Sequence, residues 1–462
     1  GTVTKAQSER TEYTYDNLGQ LASVKRFTTL NADGTGNGGT DTTIFVYSRS
    51  GELLQKTPLH PNTTSTTTVT YTYTYDGLGR LLTATDPTGR VSASSYDGAN
   101  NRIVLTAGGL TTTSVYNQAG DLITLTQEGS GLPTGGSIIT TRNFYDANGR
   151  LRMTTDPNGN STHYIYDAAG KLVAQVDAQG ALTETRYDGA GRVVSMLRYD
   201  VAVADAQVIS SGQPVATTLA ALITSLGTVN PRATHYVYDG VGRLVFTLVE
   251  DTDGTARVGS VSQRYYDGAG RLVKETAYAQ RITSSVVLTA GAMTTAVSGF
   301  QNHADNRTTR HFYSNDGLLQ ATLDAEGYLS ENVFDAAGRL TKAIRYVTAT
   351  NTAQRASGTL TDLRPATDAK DQVDYFFYDA RGQKIGNIDA ENYFTSYVYT
   401  NAGLLLEARR YAHTVAYGAS LTMADYATQG KAEVGAQTIR ASIKTYGYDT
   451  LGRILTVIDA SL

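Results

Sequence analysis

The stretch Tyr145-Asp146-Ala147-Asn148-Gly149-Arg150-Leu151, followed by Asp156-Pro157-Asn158-Gly159 and then Tyr166-Asp167-Ala168-Ala169-Gly170-Lys171-Leu172, decides how the whole chain reads. Its turn-forming tetrads alternate, eleven residues and then ten apart. That leaves about six residues for each connecting segment, the usual strand length and too short for a helix. Asp at the head of a tetrad can accept backbone N–H bonds, and Pro157 presets φ for the second position of a type I turn. The later Gly supplies the φ > 0 that a three- or four-residue hairpin loop needs. Each 21-residue unit therefore reads as a β-hairpin.

Outward from there the pattern Tyr-Asp-x-x-Gly recurs fifteen times with substitutions. The full set appears at Tyr15, Asp16, Gly19; Tyr75, Asp76, Gly79; Tyr145, Asp146, Gly149; Tyr166, Asp167, Gly170; and Tyr187, Asp188, Gly191. It continues at Tyr238, Asp239, Gly242; Tyr266, Asp267, Gly270; Phe334, Asp335, Gly338; Tyr378, Asp379, Gly382; and Tyr448, Asp449, Gly452. The copies at Tyr47, Tyr116, Tyr313 and Tyr399 put Ser48, Asn117, Ser314 or Thr400 in the Asp position, and the Tyr96 copy has Asn100 or Asn101 for Gly. Further second tetrads stand at Asp86-Pro87-Thr88-Gly89, Asp177-Ala178-Gln179-Gly180, Asp324-Ala325-Glu326-Gly327 and Asp389-Ala390-Glu391-Asn392. A fixed period decides architecture ahead of length. The 462 residues thus read as one repeat array over 1–462, not the roughly three domains that length alone suggests.

Within the array, two residues past the Gly, 13 of 15 copies carry an aliphatic such as Leu21, Leu81, Leu151, Leu244 or Ile454, a position expected to face a core. Of the 31 tyrosines, 24 keep a fixed phase: on the motif, two residues before it (Tyr13, Tyr73, Tyr164, Tyr236, Tyr397, Tyr446), or twelve after it. Alternate residues of a strand share a face, so these tyrosines read as scaffold on a half-buried pleated surface.

Four copies are followed by long spacings, and each has Tyr at plus twelve where the second tetrad would stand: Tyr199, Tyr278, Tyr346 and Tyr411. Residues 1–198 thus read as mostly short hairpins, and 199–462 as hairpins alternating with inserts at 200–235, 279–310, 347–374 and 412–444. In the first insert Leu219, Leu222, Ile223 and Leu226 have helical spacing before Gly227, which predicts a short amphipathic helix. The later inserts (Leu288 to Phe300, Leu360 to Val373, Leu421 to Ile439) have weaker periodicity.

Composition excludes several functions. With 39 basic and 43 acidic residues the net charge is −4, so no electrostatic footprint for nucleic acid or an anionic membrane exists. No apolar run approaches the roughly 20 residues of a spanning helix. Zero cysteines exclude disulfides, thiol catalysis and Cys-based zinc sites while leaving the compartment open.

Reiterated Tyr-Asp-x-x-Gly-Arg-Leu with Asp-Pro-x-Gly between copies resembles the RHS/YD repeat, over essentially the whole chain. The family includes bacterial polymorphic toxins, shell subunits of insecticidal toxin complexes, and teneurin adhesion proteins. The resemblance implies an all-β fold in which hairpins join edge to edge into a spiralling β-strip, a hollow shell that in the toxins encloses a C-terminal toxic domain. It implies a container or scaffold, secreted or at the cell surface. Its partners would be adjacent RHS/YD segments of the same protein or other copies, and an enclosed toxin cargo. The Asp-rich terminal region with which bacterial members cleave themselves is not recognisable here. Gly1 in place of an initiator Met, and a chain that stops at Asp459-Ala460-Ser461-Leu462 where the repeat calls for a return strand, read as a segment of a longer protein with open strand edges. The alternative is an extracellular adhesion module binding a glycan or protein through the four inserts.

Other motifs resolve to bland readings. Gly34-Thr35-Gly36-Asn37-Gly38-Gly39 matches G-x-G-x-x-G and faintly a calcium nonapeptide, but a strand-like Thr-Thr-Ile-Phe-Val-Tyr follows, so it reads as a hairpin tip. The six histidines (His60, His163, His235, His303, His311, His413) show no His-x-x-x-His or His-Glu pairing, and no Gly-x-Ser-x-Gly elbow is present. Neither a cofactor, a metal nor a catalytic residue is expected.

Overall fold

The computed structural model describes residues 9–31, 33–59, 69–130, 132, 138–252, 257–283, 285–430 and 442–460. His60 lies outside them. The described chain is a succession of antiparallel hairpins, grouped by its contacts into two compact units. One comprises Gly1–Val91, Phe312–Leu323 and Gly327–Leu462, the other Ser92–His311 and Asp324–Glu326.

The hairpin of strands Ser161–Tyr166 and Leu172–Val176 is representative. Ile165 faces Ala174 and Tyr166 faces Leu172, with a register shift between the two pairs that marks a bulge. The turn closes by Gly170 N–H donating to the Asp167 carbonyl at 3.0 Å and Asp167 N–H donating to the Lys171 carbonyl at 2.9 Å. The Asp167 carboxylate accepts Lys171 N–H at 2.8 Å, and Gly170 has φ 85°. This is the three-residue loop in which a type I turn ends on a residue that Gly adopts without a Cβ clash. All fourteen motif glycines share that sign of φ. In the Tyr96 copy the positive φ falls on Asn101, at 48°, and the ladder runs through to Asp97↔Arg102 without a bulge. The Gly34 stretch is the expected tip: Gly34 N–H donates to the Asn31 carbonyl at 3.0 Å and strand Gly36–Tyr47 follows.

The long spacings are excursions from the second turn. Strand Val193–Ala202 pairs with Arg232–Tyr238, so the stem continues on both sides of the first insert. Its helix, α1 (Leu219–Leu226), starts on Thr218, whose hydroxyl accepts Ala221 N–H, and ends at Gly227 with φ 71°. The later inserts carry α2 (Ala290–Ala296), α3 (Leu360–Leu363) and α4 (Met423–Gly430).

Each insert builds a core. Leu222 and Leu226 of α1 join Val203 and Val208 over Ile165, Val176, Leu182 and Leu197 of the sheet. Met293 and Val297 cover Phe246, Leu248 and Val261. Leu363 caps Leu323, Leu329 and Ile344, and Tyr426 closes over Ile388 and Phe394. The aliphatics two past the motif Gly are not in these cores. Leu21, Leu81, Leu151 and Leu244 are half-buried and Ile454 is 37% exposed, because a single sheet layer buries a face fully only where a helix lies on it.

Candidate functional site

The element repeated most faithfully is the joint between successive hairpins. Tyr187 is half-buried at the end of its strand, and its hydroxyl donates to the carbonyl of Leu172, six residues past the preceding motif Tyr, at 2.9 Å. The same bond runs from Tyr166 to Leu151 at 3.0 Å, Tyr266 to Leu244 at 3.0 Å and Tyr399 to Lys384 at 2.9 Å. It also bridges two of the inserts, from Tyr238 to Val193 at 2.9 Å and Tyr448 to Leu405 at 2.7 Å. The joint uses the carbonyl two residues past the motif Gly, the position that is aliphatic in most copies.

Where the residue after the Gly is basic, it completes the joint. Arg192 bonds the Asp188 carboxylate of its own turn through Nε at 2.7 Å and places its guanidinium 4.5 Å from the centre of the Tyr238 ring in the next hairpin. Arg243 repeats this with Asp239 and Tyr266, and Arg339 with Asp335 and Tyr378. Bonds from the Arg backbone and then its side chain hold the Asp188 carboxyl below its ordinary value. Asp thus closes the turn and aims the cation, and the cation seats the next Tyr.

A second arrangement explains the plus-twelve tyrosines. Tyr199 is 4% exposed and its hydroxyl donates to buried Glu184 at 2.6 Å, while Arg186 bonds the same carboxylate at 2.5 Å. Burial first, then the bond to Glu184, pushes the Tyr199 hydroxyl up to about 12. Tyr346 donates to Glu331 at 2.9 Å, and Arg364, at the end of α3, bonds that carboxylate through Nε at 2.9 Å. Tyr278 donates to Gln263 at 2.5 Å. Glu184, Gln263 and Glu331 each stand three residues before their motif aromatic. The fourth copy has Ser396 there, and Tyr411 instead stacks on Phe394 at 5.3 Å between centroids.

Beside the first of these locks lies a cavity of about 460 Å³, lined by Arg186, Tyr199, His235, Glu250, Ile223 and Val286 among others. The histidines are not all isolated, as their spacing suggested. Pairing sets Ser195 opposite His235, with Ser195 Oγ 2.8 Å from His235 Nδ1, and Glu250 Oε1 lies 3.4 Å from His235 Nε2. Ser195 is 5% exposed in mid-strand, its backbone committed to the ladder, so it lacks the projecting Oγ of a nucleophile elbow. His163 is buried and held below its ordinary value by desolvation, as is His311. Among the described residues no group of three or more His, Asp or Glu is placed to hold a metal.

The RHS repeat family model matches residues 75–111, 145–182 and 166–200. These segments carry RHS repeats. Among curated proteins nothing matches. Solved structures similar to this chain include the TcdB2-TccC3 crystal structure, at 16% identity and TM-score 0.38 over 96% of this chain and 22% of that one. The Photorhabdus luminescens Tc holotoxin pore is similar at 15% identity and TM-score 0.37, over 97% and 22%. The chain thus spans about a fifth of the length of those chains. The motif residues Tyr15 to Gly452 fall at hairpin turns and at the strand ends that lead into them.

Proposed function

We propose that this RHS-repeat chain is a non-catalytic wall segment of a larger secreted bacterial toxin or surface protein, working by enclosing or presenting a cargo. What supports the reading is the joint between hairpins, whose hydroxyl bond and cation seat recur between neighbouring hairpins and occur together across the first insert. Binding energy in such a chain is spent on continuity. The turn tips supply an apolar edge for neighbouring RHS segments, with Leu18, Leu78 and Leu451 at 72%, 79% and 76% exposure. Glycan or protein recognition by the inserts, the competing reading, loses support because α1 to α4 turn apolar side chains into the sheet. An electron-microscopy map of the full-length gene product tests the proposal. Density filling a cavity walled by the hairpins is expected; an empty interior with a partner held on the insert tips would overturn it.

A further inference from the structure

The first and last described strands, Glu9–Tyr15 and Ile454–Ala460, are hydrogen-bonded to each other, Glu12 opposite Thr456, Thr11 opposite Val457 and Arg10 opposite Ile458. The open edges expected from the sequence are therefore filled by each other. In the internal joint between the Tyr166 and Tyr187 hairpins, Ala174 faces Glu184, Gln175 faces Thr183 and Val176 faces Leu182. Counted from the motif tyrosines, both sets pair the same positions: eight past the earlier Tyr with three before the later one, nine with four, and ten with five.

The side chains repeat the match. Tyr15 hydroxyl donates to the Ile454 carbonyl at 3.0 Å, as Tyr187 does to Leu172 at 2.9 Å. Arg453, held by Asp449 at 2.7 Å, lies 4.4 Å from the centre of the Tyr15 ring, as Arg192 does over Tyr238 at 4.5 Å. Tyr15 and Ile454 are 439 residues apart. Chance contact between two strand edges has no reason to select the register, the hydroxyl bond and the cation together, since a slip of one residue reverses every side chain.

We propose that the outer edge of strand Glu9–Tyr15 is a docking surface for an RHS hairpin, occupied by this chain's own hairpin Ser442–Ala460 in the repeat's ordinary register. The joint is then a property of the hairpins and not of their adjacency in sequence, and it forms a seam that opens without breaking the chain. A second copy could offer the same edge, but the tethered hairpin has the advantage of effective concentration. The inference stands apart from any cargo.

The chain has no cysteine, so a pair placed across the seam reports on it alone. Thr11→Cys with Val457→Cys should oxidise to an intrachain disulfide at micromolar protein, migrating as a compact monomer on non-reducing gels. Glu9→Cys with Val457→Cys, two residues out of register, should link at least about tenfold more slowly. Separately, Arg453→Ala should speed amide exchange of Glu9–Tyr15 by about tenfold, the scale of one lost charged contact, and leave strand Ala181–Tyr187 unchanged. No disulfide, equal rates for the two pairs, or a disulfide-linked dimer as the main product would each overturn the proposal, the last by assigning the edge to a second copy.

Discussion

Leu222→Ala separates a buttress from a loop. Leu222 is fully buried on α1 and joins a cluster with Leu197 of one stem strand and Ala233 of the other. Shortening a fully buried Leu to Ala costs about 2–5 kcal/mol, the transfer of its methyls plus the cavity left behind. In a chain of repeated hairpins such a loss stays local, so a single melting temperature would dilute it. Peptide-resolved hydrogen exchange is the better assay, because it reads opening free energy strand by strand. If the helix holds the sheet, amides of Val193–Ala202 and Arg232–Tyr238 should exchange at least about thirtyfold faster, the equivalent of the lower bound of about 2 kcal/mol, while Tyr393–Tyr399 stays unchanged. If only α1 amides lose protection and the stem keeps its own, the insert is an accessory loop and the packing argument fails.

Gly191→Val forces a β-branched side chain onto φ 84° with Lys171 Nζ already 3.0 Å from the Cβ position; it should cost about 1–2 kcal/mol, and urea unfolding matching the parent would refute the turn reading. Tyr199, raised to about 12, contributes stability that is whole below pH 10 and lost between pH 10 and 12; melting curves across that window should steepen in their decline for the parent and flatten in Tyr199→Phe. His163 and His311 are lowered by burial, so their contribution is present above pH 6.5 and lost as pH falls below it. Their two-dimensional NMR titrations should show midpoints under 6.5, and His163→Gln should blunt the acid sensitivity of melting; midpoints at or above 6.5 would contradict their burial.

Turn chemistry was legible because it is local: Asp167, Gly170 and the six-residue gaps lie within one short span. The helix at Leu219–Leu226 was legible from four aliphatics in phase, while α2 and α4, rich in Ala and Thr, offer no stripe strong enough to outvote their composition. What the motif Arg does was not legible, since its partner ring belongs to the next hairpin, 16 residues on for Arg150 and Tyr166, and 46 on for Arg192 and Tyr238. The Tyr199–Glu184 pair had a signal, an acidic or amide residue three before the aromatic in three of the four extended copies, which spacing alone could have exposed. Ser195, His235 and Glu250 come together through strand pairing across a whole insert, and the Tyr15–Arg453 seam across nearly the whole chain. Neither is a pattern that a window can hold.

Protease protection of the full-length product tests the wall function most directly. Trypsin and proteinase K would be applied to the folded protein, with cleavage of the segments outside the repeat array followed by mass spectrometry against the same segments expressed alone. A wall segment predicts that a cargo region within the same product survives at protease levels that destroy it in isolation, and becomes sensitive when the hairpins are unfolded. Equal cleavage rates with and without the folded array would contradict enclosure.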